Sequence, residues 1–328
     1  MSTRIVIAGA SSLLGAELKS LLEESRFAAA DFRLVDEELA AGTLTEAAGA
    51  AAVIQPVEED SFDRANIIFF TGSHTFTKTN LALAQRNGPI VVDLSGSLTS
   101  DPAVLNWFSN LEILQLTSPI TGKKLFAIPS AAATAAASLS LALTKLKAEH
   151  LSFVELRPVS ESGKRGIEEL EQQTSQLLSF QTVGSPVFDT QVGFNHLDRF
   201  GPQSKENLGF ARERLRAEVA SILHASTTLP AIQVVHAPVF YGSTFTVSAK
   251  FSTATDSAQL IAAAKSAGFH VMQESAPSNV SAAGESLIQL ASPERDSCAQ
   301  NTWWFWGAAD NIRLPAYNAV KLAEKLLP

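Results

Sequence analysis

Cysteine is almost missing from this sequence: Cys298 is the single thiol in 328 residues. One thiol excludes an intramolecular disulfide, and six scattered histidines show no ligand spacing, so no metal is expected. That thiol-poor composition suits a reducing, cytoplasmic location. Basic residues are also in deficit, with 25 Lys and Arg against 33 Asp and Glu and a formal charge of −8. With no basic run to offset it, this balance argues against a nucleic-acid or membrane partner. Long hydrophobic runs are equally scarce. The apolar start after Arg4 is interrupted by Gly9, Gly15 and Glu17, and no cleavage site follows it. Leu125 to Thr144 carries no charge and is about long enough to span a bilayer. Pro129 divides that run, however, and its alanines and serines favour a buried core helix.

What is present begins with length, which exceeds one comfortable core and predicts two domains. "RIVIAG" reads as a short strand, followed by a helix with Leu14, Leu18, Leu21 and Leu22 on one face. Further strands read as "DFRLVD" (31–36), "IIFFTG" (67–72) and "IVVDLSG" (90–96), with a helix over 78–88. This alternation predicts a parallel sheet with helices on both faces. The turn from Gly9 to Gly15 opens the first helix, where backbone N–H groups and the helix dipole suit a pyrophosphate. Gly9, Ser11, Ser12, Leu13, Leu14 and Gly15 are the cofactor-binding expectation there. A plain strand-to-helix turn is the alternative reading, since Ser12 stands where a middle glycine would ease phosphate approach. Asp36 and Glu37, ending the second strand, tilt the balance toward a dinucleotide. An acid there accepts from a ribose 2′-OH and repels a 2′-phosphate, which favours NAD over NADP.

From residue 151 the pattern changes. "ESGKRGIEELEQQTSQLL" predicts a helix with Ile167, Leu170, Thr174 and Leu177 on one side and glutamates opposite. "IQVVHAPVFYGSTFTVSAKF" (232–251) reads as two strands joined by a tight turn at Tyr241-Gly242. "NTWWFWG" (301–307) reads as an aromatic core strand or interface, with a stacking platform as the other option. The chain ends in a helix with Pro315 in its first turn and Ala316, Val320, Ala323 and Leu327 as its apolar stripe.

This order of signals resembles the aspartate-semialdehyde dehydrogenase family nearly end to end. "VIAGASSLLG" is similar to the family's nucleotide loop, "VVDLSGSLTSDPAV" to its Asp-x-Ser-Ser segment, and "SGKRGIEELEQQT" to its interface helix. "FNHLDRFG" resembles its Phe-Asn element, "HAPVFYGST" its strand pair, and "ADNIRLPAYNAV" its C-terminal cofactor-side helix, which adds Asn311 to the cofactor-binding residues. The resemblance implies an α/β fold: a Rossmann-like parallel-sheet domain over 1–128 and 311–328, and an α+β dimerisation domain with a mixed or antiparallel sheet over 129–310. It also implies NAD or NADP as cofactor, a homodimer, a small anionic ligand, and a role in amino-acid biosynthesis.

The family's chemistry does not carry over with the fold. After the proline of "FAIPSAAAT" the family places a nucleophilic cysteine, and here that position falls on Ala131. The acid–base histidine falls on Ser243, the active-site glutamine on Arg157, the substrate-clamping arginine on His236 and the phosphate-binding arginine on Thr99. The resemblance implies that Glu218 keeps the family's amino-group role, although a helix-surface glutamate needs no function. Ser130 or Thr134 could attack only with a positioned base, which nothing nearby supplies. The chain therefore resembles the catalytically incomplete Usg-type paralogues, and no functional catalytic residue is expected at Ala131, Arg157 or Ser243. Two readings follow: a dimeric binding or assembly module, or an oxidoreductase with altered chemistry on an anionic amino-acid derivative, using Arg157, His236 and Glu218; Thr99, Glu218 and His236 are the substrate-cleft expectation.

Overall fold

Four consecutive apolar residues, Ile5 to Ala8, make β1 (Arg4–Ala8), and all four are fully buried. A strand buried on both faces needs a covered parallel sheet, and that is what forms. The computed structural model describes residues 3–40, 42–47, 50–114, 119–223 and 227–328. The chain divides into two units, Met1–Ser130 with Pro315–Pro328, and Ala131–Leu314.

In the first unit β1 leads into α1 (Leu13–Glu23), β2 (Asp31–Asp36), an antiparallel pair β3 (Leu44–Ala47) and β4 (Ala50–Val53), and β5 (Gln55–Pro56). Then come β6 (Ile67–Phe70), α2 (His74–Ala84), β7 (Ile90–Asp93), β8 (Leu105–Asn106), α3 (Ser109–Ile113) and β9 (Leu125–Ala127). Seven strands pair in the order β5-β2-β1-β6-β7-β9-β8, every neighbour parallel. Alternate residues feed two cores. Ile5, Ile7, Ile67 and Phe69 pack with Leu18 and Leu22 of α1, while Val6, Ala8, Ile68 and Phe70 pack with Phe76 of α2. Helix α2 starts four residues before the expected 78, because Ser73 accepts from the Phe76 N–H and sets the N-cap.

The second unit opens with α4 (Ala131–Thr144), in which every residue from Ala131 to Leu143 is buried. The uncharged run is thus β9 followed by a core helix. No helix among the described residues is long and apolar enough to cross a membrane. Next come β10 (Ala148–Arg157), a 3₁₀ turn at Val159–Ser162, α5 (Gly163–Leu178), α6 (Leu208–Ile222), β11 (Ala231–His236) and β12 (Ser243–Phe251). The unit continues through α7 (Ser257–Ser266), β13 (Phe269–Met272), α8 (Asn279–Ala282), β14 (Ile288–Ala291), β15 (Glu294–Arg295) and β16 (Thr302–Ala309). Its sheet runs β11-β10-β12-β16-β14-β13, with both parallel and antiparallel neighbours, and α4 packs against α6, α7 and β10. The last helix, α9 (Arg313–Leu326), adds Ala316, Val320 and Ala323 to the first unit's core, and Leu327 follows them in.

Two expectations need correcting. The strands over 232–251 do not pair with each other: β10 lies between them, parallel to β11 and antiparallel to β12. The six-residue connection instead bonds back along the end of β10, with Ala237 N–H on the Arg157 carbonyl and Val159 N–H on the Val239 carbonyl. The turn at Gly242 (φ +81°) then re-enters the sheet one strand further on. On α5 the glutamates are not all opposite the buried face. Gly166, Glu169, Leu170 and Gln173 are buried there, whereas Ile167, Thr174 and Leu177 are half-buried.

Candidate functional site

The turn after β1 is held from several sides. Gly9 adopts φ +95°, and a Cβ added there would lie 2.2 Å from the Gly72 nitrogen, so only glycine fits. The Val35 carbonyl accepts from Gly9 N–H, and the Asp36 carboxylate accepts from Ser11 and Glu37 N–H at 2.7 and 2.8 Å. Ser12 caps α1, accepting from Gly15 N–H and donating to the Thr71 carbonyl, both at 2.9 Å. A glycine at 12 would lose both bonds, which explains the serine. The N–H groups of Leu13 and Leu14 bond no acceptor among the described residues. Two open donors at a helix N-terminus fit a dinucleotide phosphate, which Leu13, Leu14 and the Gly9 approach would hold. Asp36 is buried and spent on this loop, whereas Glu37 is exposed and lies 3.5 Å from Ser73 Oγ. Thr99, also in this unit, is buried and donates to the Gly96 carbonyl.

Several family positions of the second unit lie around the end of β10. Ala131 presents a buried methyl group, 1% exposed, at the start of α4. Ser243, the first residue of β12, donates its hydroxyl to Glu155 Oε1 at 3.2 Å. Arg157 places Nη2 3.1 Å from Glu161 and Nη1 4.0 Å from Glu155. Asn311 is buried with its amide satisfied inside the unit: Oδ1 accepts from Gly242 N–H, and Nδ2 donates to Ser160 and Glu161. Glu218 is buried on α6 and paired with Arg214 at 3.0 Å.

Glu155 is the residue that sequence reading passes over. It is 1% exposed, and burial, partly offset by Arg157, pushes its carboxyl up to about 7. The signal was available in strand parity: Leu151, Phe153 and Glu155 alternate onto the face that α4 covers. Arg157, the next residue of that parity, then brings its charge alongside.

His236 is 1% exposed, with its ring beside Phe188 and Phe200. Its Nε2 lies 3.2 Å from the Val192 carbonyl, which can only accept, so that nitrogen carries the proton. Burial holds the ring down to about 4, so it is neutral at pH 7 and offers a carboxylate no charge. The segment that carries Val192 is itself built by α5. Glu169 accepts from Val187 and Phe188 N–H, and Gln173 Oε1 accepts from Val192 and Gly193 N–H. Gln173 Nε2 donates to Glu169 and to the carbonyls of Gly184 and Thr190.

One unit with a parallel Rossmann-like sheet and one with a mixed sheet define a two-domain α/β protein whose first fold is that of dinucleotide-binding domains. A family model described as the semialdehyde dehydrogenase NAD binding domain matches residues 4–153, and one described as the semialdehyde dehydrogenase dimerisation domain matches residues 140–314. The chain belongs to the semialdehyde dehydrogenase family. A USG-1 protein homolog from Azotobacter vinelandii is 28% identical over 336 residues, covering 98% of this chain and 97% of that protein. An aspartate-semialdehyde dehydrogenase from Rickettsia bellii is 23% identical with the same coverage. Among solved structures, a probable aspartate-semialdehyde dehydrogenase from Pseudomonas aeruginosa superposes with a TM-score of 0.86 at 24% identity, covering 99% of this chain and 98% of that one. That likeness speaks to fold alone.

Proposed function

We propose that this chain is a homodimeric, dinucleotide-binding member of the family that has lost dehydrogenase turnover and serves as a binding or assembly module. The observation that carries this reading is the Ala131 methyl, where the resemblance implies the nucleophile. No thiohemiacetal forms on a methyl group. The remaining positions support it: Ser243 is bonded to Glu155, Arg157 lies between two carboxylates, and His236 is neutral and held by Val192. NAD is the favoured cofactor, because Glu37 and Glu38 are exposed where a 2′-phosphate would need a cation.

Dimerisation is supported by the open face of the second sheet. Val154, Leu156, Val235, Trp304 and Trp306 share that face and stay half-buried or exposed, while Leu151, Phe153 and Val247 on the other face are buried. A second copy covering this face would remove the apolar surface from water.

An oxidoreductase acting on the aldehyde or acyl group of an anionic amino-acid derivative is the second reading, favoured by the Glu155 carboxyl titrating near neutrality beside Ser243. The deciding experiment follows NADH or NADPH formation from aspartate semialdehyde and phosphate with the unmodified protein. Background rates support the module; robust turnover moves the weight to the enzyme.

A further inference from the structure

The charges around Glu155 do not balance. Glu155, Glu161 and Glu206 share the field of Arg157, and Glu218, paired with Arg214, adds a further negative charge near Glu155. Each guanidinium has a nearer partner than Glu155. Arg157 sits 3.1 Å from Glu161 against 4.0 Å from Glu155, and Arg214 is 3.0 Å from Glu218. The flanking strands place Val234 and Phe245 opposite Glu155, and α4 carries no charge. The neutral Ser243 hydroxyl, on β12, donates to Glu155.

We propose that Glu155 is a proton-operated lock on the turns at this end of the second sheet. Protonated, it leaves Arg157 to Glu161 and Glu206. Ionised, it adds a buried negative charge that draws Arg157 away from Glu161. The pull is transmitted because Glu161 accepts from Asn311, and Asn311 in turn receives the Gly242 N–H. The turns at 158–162 and 240–243 are therefore tight when Glu155 holds its proton and looser when it does not. Burial places this change near neutrality, where small pH differences act on it. The lock does not depend on dinucleotide binding or turnover.

Hydrogen–deuterium exchange on the full-length protein tests this, with rates corrected for intrinsic pH dependence. Opening that restores an ordinary carboxyl should lower protection at 158–162 and 240–243 roughly tenfold between pH 6 and pH 8. Glu155→Gln should keep the pH 6 protection at both values. Glu161→Gln hands Arg157 to Glu155, and should move the wild-type transition to lower pH. Protection of these turns that is flat in the wild type, or a pH response that persists in Glu155→Gln, overturns the proposal. An unmoved transition in Glu161→Gln overturns it independently.

Discussion

Replacing His236 by glutamine should change how stability depends on pH, and by a calculable amount. Glutamine can still donate to the Val192 carbonyl but cannot titrate. In the wild type the ring is held down to about 4 by burial, against 6.5 when unfolded. The unfolded chain therefore binds more protons below pH 6.5, and the stability from neutral His236 is lost as pH falls from 6.5 to 4. Two pH units, from 6.5 to 4.5, cost about 3 kcal/mol at ~1.4 kcal/mol per unit. Glu155 runs the other way. Its folded value of about 7 exceeds the ordinary 4.5, so the folded state holds the extra proton and regains stability as pH falls through that window. The two slopes oppose between pH 4.5 and 6.5, and the wild type loses little from this pair. Without His236 the Glu155 gain stands alone. Urea unfolding at pH 7 and 4.5, followed by tryptophan fluorescence, suits the measurement because Trp303, Trp304 and Trp306 lie in the second unit. The stability difference between variant and wild type should move by about 3 kcal/mol in the variant's favour on acidification. A difference constant to within about 0.5 kcal/mol would refute the buried, neutral assignment.

Further outcomes are expected elsewhere. Ala131→Cys should leave aspartate semialdehyde oxidation near background in an NADPH-formation assay, because acid–base catalysis worth ~10²–10⁴-fold is still missing at Ser243. Calorimetry should show NAD binding more tightly than NADP, and Glu37→Arg should narrow or reverse that order. Gly9→Ala should abolish any thermal shift by NAD and cost more than ~1 kcal/mol, since its Cβ would meet Gly72 and its φ is positive. Light scattering at micromolar concentration should return a dimer mass, and a monomer would sink the homodimer reading.

The first unit was readable because its signals are local. β1 and β6 are continuous apolar runs, and continuity is what a strand buried on both faces requires. The loop glycines declared their turn, although the spending of Asp36 on Ser11 and Glu37 N–H could not be seen without the fold. The second unit hid more. Whether β11 and β12 pair is decided by β10, some 80 residues earlier, and no local pattern carries that information. Hydrophobic periodicity misplaced the buried side of α5 because that side is polar at Glu169 and Gln173. Ala131 and Ser243 were legible only through family resemblance, which names positions but not surroundings. The charge state of His236 and the partner of Glu155 come from burial, a property of the assembled chain.

Glu169 and Gln173 between them bond the backbone of Gly184, Val187, Phe188, Thr190, Val192 and Gly193, a stretch with no helix or strand of its own. In effect two side chains perform the task that a neighbouring strand performs elsewhere. Substitution tolerance here should thus run opposite to the usual expectation for surface segments. The solvent-facing positions of 184–193 can accept varied side chains, since their main chain is what is gripped. A single change at Gln173 would orphan several peptide groups at once, each costing about 1–3 kcal/mol. In a saturation library this helix, rather than the irregular segment it organises, would emerge as the intolerant element.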